Sequence, residues 1–215
     1  MLQAITISLR TTLISLAVTV LAGTPLAYLM GRNKFAFKRL VDTLIDLPTV
    51  LPPSVAGVAL LLTLGRRGVI GGWLDVHGVH LAFTAAAVVL AQVFVSSPFF
   101  VRAAALAFSA VDDEIEQAAQ LDGASRWQIF RFVILPLSRN ALVSGSTMSW
   151  ARALGEFGAT IIFAGNFPGR TQTMPMAIYL GFEVNINLAI TLAVILLTIS
   201  FVSILVIKGI SQPEY

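Results

Sequence analysis

Asp112-Asp113-Glu114-Ile115-Glu116-Gln117-Ala118-Ala119-Gln120-Leu121-Asp122-Gly123-Ala124-Ser125-Arg126-Trp127-Gln128-Ile129-Phe130-Arg131-Phe132-Val133-Ile134-Leu135-Pro136 is a polar, charged stretch set between long apolar runs. Asp113 stands three residues before Glu116, and Ser125 three before Gln128. Each spacing is that of a capping box, in which two side chains satisfy the free amides at a helix start. The pattern predicts two short helices with Gly123 at the turn between them, where the chain needs either a positive φ or a close backbone approach. Trp127, Phe130 and Phe132 then put aromatic bulk on the second helix. Either a partner surface covers these rings or the helix lies on lipid headgroups.

The rest of the chain reads as membrane protein. Of its 215 residues 57% are hydrophobic and only 12% charged, outside the range of ordinary water-soluble domains. Cysteine is absent, so neither a disulfide framework nor a thiolate metal site is available. A bilayer-spanning helix needs about 20 apolar residues, and uncharged runs of that kind occupy 11–30, 81–101 and 188–207. The run at 47–64 is shorter but extends back to Leu40, which leaves Asp42 and Asp46 near the headgroups. Residues 140–164 are long enough to span but contain Arg152 and Glu156. The expected fold is an all-α integral membrane protein, one domain over residues 1–215. Its about five spans lie near 5–31, 40–64, 80–108, 139–165 and 187–208, with a loop at 111–139. Residues 1–30 lack the charged start and small-residue cleavage site of a signal peptide and are expected to be a retained helix.

Basic residues orient this arrangement. Arg32, Lys34, Lys38, Arg39, Arg102, Arg126, Arg131, Arg139 and Lys208 would share one side, against Arg10, Arg66, Arg67 and Arg170 on the other. The positive-inside rule then puts the charged loop and the carboxyl terminus in the cytoplasm and the amino terminus outside.

Two constellations inside the apolar regions stand out. Pro48, Pro52 and Pro53, followed by Ser54, crowd the start of the second span. They either make an irregular backbone against protein or a wet cavity, or simply start a helix. Arg152 and Glu156 are four residues apart, hence on one helical face, and would turn to the bundle interior. They are either a self-neutralising structural pair or part of an anion path, which Ser149 and its neighbouring hydroxyls would help to line. His77 and His80 have no further ligands at metal spacing. The segment 165–171 has glycine spacing one residue short of a phosphate-binding loop and Arg170 in place of its lysine, so no nucleotide site is expected.

The 112–136 stretch resembles the Glu-Ala-Ala loop of the membrane subunits of ATP-binding-cassette importers. That pattern is Glu-Ala-Ala, three variable residues, Gly, nine variable residues, Ile, one variable residue and Leu-Pro. Ala118, Ala119, Gly123, Leu135 and Pro136 match it, Gln117 stands in place of Glu, and Val133 in place of Ile. Further segments at 23–28, 46–57, 148–160 and 171–179 are similar to permease subunits of molybdate and tungstate importers. The resemblance implies a type I importer: two permease copies, two ATPase subunits and an external oxyanion-binding protein, in the inner cell membrane, with no nucleic acid involved. It implies that Gln117, Ala118, Ala119, Gly123, Ala124, Ser125, Trp127, Val133, Leu135 and Pro136 couple to the ATPase. Pro52, Pro53, Ser54, Ser149, Arg152 and Glu156 would line the path. The chain would be no enzyme and bind no cofactor, ATP and magnesium residing on the partner ATPase. A sulfate or thiosulfate permease shares this architecture. A standalone secondary transporter should show internal repeats or a chain of titratable residues across the membrane, and the sequence has neither.

Overall fold

In a bilayer no hydrophobic force draws helices together, so close packing of small residues must do so, and the first helix obeys that rule. The computed structural model describes residues 1–211 apart from the side chains at 208, 210 and 211. Lys208 of the charge count therefore lies outside the described side chains. Helix α1 (Leu2–Arg32) buries Ala4, Ser8, Thr11, Thr12, Ser15, Thr19, Gly23, Ala27 and Met30, a nearly unbroken seam of small side chains. The chain then forms α2 (Lys38–Val50), α3 (Pro53–Leu64), the short α4 (Gly71–Val76) and the long α5 (Ala85–Ser109). The α1 seam lies on α5 so tightly that a Cβ at Gly31 would stand 2.5 Å from the Ala105 carbonyl oxygen.

Beyond α5 come α6 (Asp113–Leu121), α7 (Arg126–Ile129), a wider π-helical turn (Phe130–Ile134) and α8 (Leu135–Leu137). The wide turn ends two residues before Pro136, whose ring and missing amide are incompatible with a regular α-helical bond to the preceding turn. The remaining helices are α9 (Arg139–Leu154), α10 (Gly158–Phe163), α11 (Met174–Val184) and α12 (Ile186–Ser211). Helix α5 is central, packing against α1 on one side and α9 on another, with α10 and α3 together beside it. Its buried Gln92 donates to the Thr12 hydroxyl and the Ala153 carbonyl, both at 3.2 Å, tying the three long helices at one level. Helix α12 joins at the edge through α11, where a Cβ at Gly181 would meet Ala189 at 2.9 Å. Its outer face carries exposed Ile190, Val194, Leu197, Phe201 and Leu205, a surface suited to lipid.

Among the described residues three helices are long and apolar enough to cross a bilayer: α1, α5 and Ile186–Ile207 of α12. The other two stretches expected to span are each divided. Residues 40–64 break at Leu51 and Pro52 between α2 and α3, and residues 139–165 break at 155–157 between α9 and α10. Length alone could not reveal either break. At the first, Pro52 and Pro53 supply the reason. By contrast α2 runs on through Pro48, and α1 through Pro25, where the Thr24 hydroxyl donates to the Val20 carbonyl at 2.6 Å.

Candidate functional site: a capped loop and two facing helix breaks

The loop begins with α6, whose cap differs by one residue from the expected one. Asp112, not Asp113, occupies the cap, its Oδ1 accepting from the Glu114 amide at 3.0 Å, while Asp113, Glu114 and Glu116 fall in the first turn. Acidic groups there suit the positive end of the helix dipole. The stop of α6 is a complete Schellman turn. The Gly123 amide donates to Gln120 and the Ala124 amide to Ala119, each at 3.0 Å, with Gly123 at φ +86°. An added Cβ at Gly123 would meet nothing within 4 Å, so the glycine is required by its backbone angle and not by lack of room.

The second cap is the capping box expected at Ser125. The Ser125 amide donates to Gln128 Oε1 at 2.7 Å, and the Gln128 amide to the Ser125 hydroxyl at 3.4 Å. Ile129 and Ile134 plug into a buried cluster with Phe100, Phe108 and Ala104, against which Ala119, Ala124, Phe130 and Val133 pack. Phe130 is thus held by Tyr28 and Phe108 in edge-on ring contacts. Trp127 and Phe132 remain 66% and 70% exposed, the two rings left for something outside the chain. Gln117, Ala118, Ser125 and Pro136 are also exposed, whereas Ala119, Ala124, Val133 and Leu135 are half-buried. An open groove of about 1090 Å³ separates the loop from the last turns of α1, bordered by Tyr28, Arg32, Glu116, Gln117, Arg126 and Trp127.

The two divided helices meet each other. A Cβ at Gly158 would lie 2.7 Å from Pro53 Cβ and 3.3 Å from the Ser54 amide nitrogen. One at Gly57 would lie 2.8 Å from the Ala159 carbonyl oxygen. Glycines at 57 and 158 therefore let α3 and α10 touch backbone to backbone, which sets the proline break against the α9–α10 break. Glu156 stands in that second break, beyond the end of α9 and not within one continuous helix as the spacing predicts. It is nonetheless paired as expected: Arg152 Nη1 lies 2.7 Å from its Oε2. Its Oε1 accepts the Ala159 amide at 2.8 Å, satisfying a free amide at the start of α10. Glu156 is 1% exposed and the Arg152 side chain 30%, so the acid is the anchored member and the arginine the more accessible one.

Pro52, Pro53 and Ser54 are exposed on the same broken edge. Ser149 is buried on the side of α9 that also hides Gly145 and Trp150, opposite the exposed Ser144, Met148 and Gly155. Among the described residues no group of three His, Cys, Asp or Glu side chains converges as a metal site, and His80 instead pairs with Asp75 at 2.5 Å. The 165–171 turn closes on itself: buried Thr171 accepts the Phe167 amide at 3.1 Å and donates to the Gly165 carbonyl at 3.2 Å.

Two ionic clasps were not apparent in the sequence. Arg102 on α5 takes Asp46 through two nitrogens, at 2.7 and 2.5 Å, and Asp42 through a third contact at 2.6 Å. It thereby fixes α2, which buries only Pro48. Arg32, at the end of α1, holds the start of α6. The available signals were Asp42 and Asp46 at helical spacing and one arginine in an otherwise uncharged helix.

Comparison with known proteins agrees with this architecture. The family model for binding-protein-dependent transport system inner membrane components matches residues 23–212. The probable transport system permease protein NifC of Clostridium pasteurianum is 39% identical over 209 residues, 96% of this chain and 73% of NifC. The molybdenum transport system permease protein ModB of Escherichia coli K12 is 43% identical over 178 residues, 82% of this chain and 78% of ModB. Among solved structures, a chain of a bacterial ABC transporter that imports the acidic polysaccharide alginate superposes with a TM-score of 0.78 at 16% identity, covering 98% of this chain and 78% of that one. At that identity the likeness concerns the fold.

Proposed function

The chain belongs to the inner membrane components of binding-protein-dependent transport systems, and from that premise we propose that it is the membrane subunit of an ATP-driven importer of molybdate or tungstate. The observation that carries the cargo assignment is the 43% identity to a molybdenum transport permease over most of both chains. In this proposal two copies of the chain enclose the path and two separate ATPase subunits bind beneath. An external binding protein delivers the oxyanion. The amino terminus is outside and the carboxyl terminus cytoplasmic, as the nine-to-four distribution of basic residues favours. ATP and magnesium are held by the partner subunits.

The geometry supports a division of labour. The capped loop presents Gln117, Ala118, Trp127 and Pro136 outward, a surface an ATPase subunit would seat against. ATP binding would draw the paired loops together and turn the permease halves as rigid bodies, opening the path outward, and hydrolysis would reset them. The path would run along the edge where Pro52, Pro53 and Ser54 meet the 155–158 break. There Arg152 offers a cation to a passing dianion, while Glu156 keeps that cation from holding it. Conduction needs binding weak enough to release, and a pre-paired guanidinium meets that condition.

The test is reconstitution with the ATPase and the binding protein in vesicles. Molybdate-loaded binding protein is expected to stimulate ATP hydrolysis and molybdate uptake. Stimulation by sulfate-loaded protein with none by molybdate-loaded protein would overturn the cargo assignment in favour of sulfate.

A further inference from the structure

We propose that Arg32 is the positioning residue through which motion of the cytoplasmic loop reaches the membrane helices. The side chain is 9% exposed and spans two elements far apart in sequence. Its Nη1 donates to the Val111 carbonyl at 2.8 Å and reaches Asp113 Oδ1 at 2.9 Å, and its Nη2 donates to Glu116 Oε2. One planar guanidinium thus engages the carbonyl just before the α6 cap and two acids of the first turn, a fork geometry that lysine cannot reproduce. Arg32 also lies in the last turn of α1, where the helix dipole favours a cation.

Nothing else holds α6 as firmly. No residue of α6 is buried. Among the described residues, every side-chain hydrogen bond or ion pair joining α6 to another helix runs to Arg32. Its apolar attachment is the light packing of Ala119 on the Phe100–Ile134 cluster. On the other side of the link, α1 packs extensively on α5 and also meets α9 and α11. Near its far end, the Ser8 hydroxyl accepts the Met174 amide at 2.7 Å at the start of α11. A displacement of α6 by a docked partner is therefore delivered to a rod of about 46 Å that touches the central helix and reaches α11.

This proposal rests on the importer assignment above, and its test separates the two. Molybdate uptake and ATP turnover are measured in the same vesicles for wild type, Arg32→Gln, Arg32→Lys and Glu116→Gln, after confirming equal amounts of assembled complex. The ratio of molybdate taken up to ATP hydrolysed is expected to fall about tenfold in Arg32→Gln, within the usual range for coupling between sites. Glu116→Gln, which leaves Val111 and Asp113 as acceptors, should show a smaller fall, and Arg32→Lys, which keeps the charge without the fork, should lie between wild type and Arg32→Gln. A residue that only supports folding would lower uptake and turnover together, leaving the ratio unchanged. An unchanged ratio in Arg32→Gln overturns the proposal. Should Arg32→Gln fail to assemble, Glu116→Gln decides by the same ratio. If wild type responds to sulfate-loaded protein alone, the cargo assignment fails and the ratio is read with sulfate.

Discussion

Two turns of this molecule face the same problem and solve it with different chemistry. At 122–125 one helix stops and another starts in an exposed loop, and at 155–158 the same happens around the buried Glu156. Each leaves backbone amides and carbonyls without helical partners. The surface turn is closed by the backbone and by neutral side chains: Gly123 at φ +86°, a Schellman pair of amides, and the Ser125–Gln128 box. The interior turn uses an ion. Glu156 accepts the Ala159 amide with one oxygen and meets Arg152 with the other. Where water can satisfy whatever is left over, geometry is enough. At the second turn the buried carboxylate gives one oxygen to a helix-start amide and the other to an ion pair.

This contrast is most exposed to Glu156→Ala, which should strand the Arg152 charge and free the Ala159 amide together. The loss of stability is expected near the lower end of the range for one broken buried ion pair, about 3 kcal/mol, read as a lowered unfolding midpoint in detergent. Glu156→Gln keeps an acceptor for Ala159 and should fall between alanine and wild type. If glutamine and alanine behave alike, the capping role of Glu156 is refuted and only the ion pair matters.

Gly123→Val comes next. A β-branched residue in the left-handed region costs about 1–2 kcal/mol or somewhat more, and it should misplace α7 so that uptake is lost while the complex still assembles. Gly123→Asn should stay close to wild type, because asparagine tolerates the left-handed region and an added Cβ meets nothing within 4 Å. Failure of both variants would instead mean that a partner subunit presses on this glycine. The smallest effect belongs to Ser125→Ala, about 1 kcal/mol, seen as a modest loss of midpoint with uptake largely retained. A loss as large as that of Glu156→Ala would contradict the idea that the surface turn shares its burden with water.

Legibility in the sequence tracks the range of the interactions. Ser125 with Gln128, Gly123 at the turn, and Arg152 with Glu156 are all short-range patterns, and each is legible as a spacing. The misplaced cap at Asp113 is a one-residue error between two adjacent aspartates, either of which could serve. The division of 139–165 was hidden because Gly155 and Glu156 carry no proline, and an apolar run of sufficient length looks continuous. Arg32 and Arg102 could be counted only as topology charges, since their acceptors lie between 56 and 84 residues away. No periodicity encodes a contact at that distance.

The wide turn at Phe130–Ile134 has a consequence for how this chain can change over evolutionary time. A π-turn holds one residue more than the α-helical turn it replaces, and each helical residue rotates the remainder of the helix by about 100°. Deleting a single residue there would turn α9, with Arg152 upon it, by roughly a quarter of a circle relative to Trp127. Insertions and deletions at this point are therefore phase errors between the face that carries Trp127 and the face that carries Arg152. The length of the segment should be held more strictly than the identity of its residues.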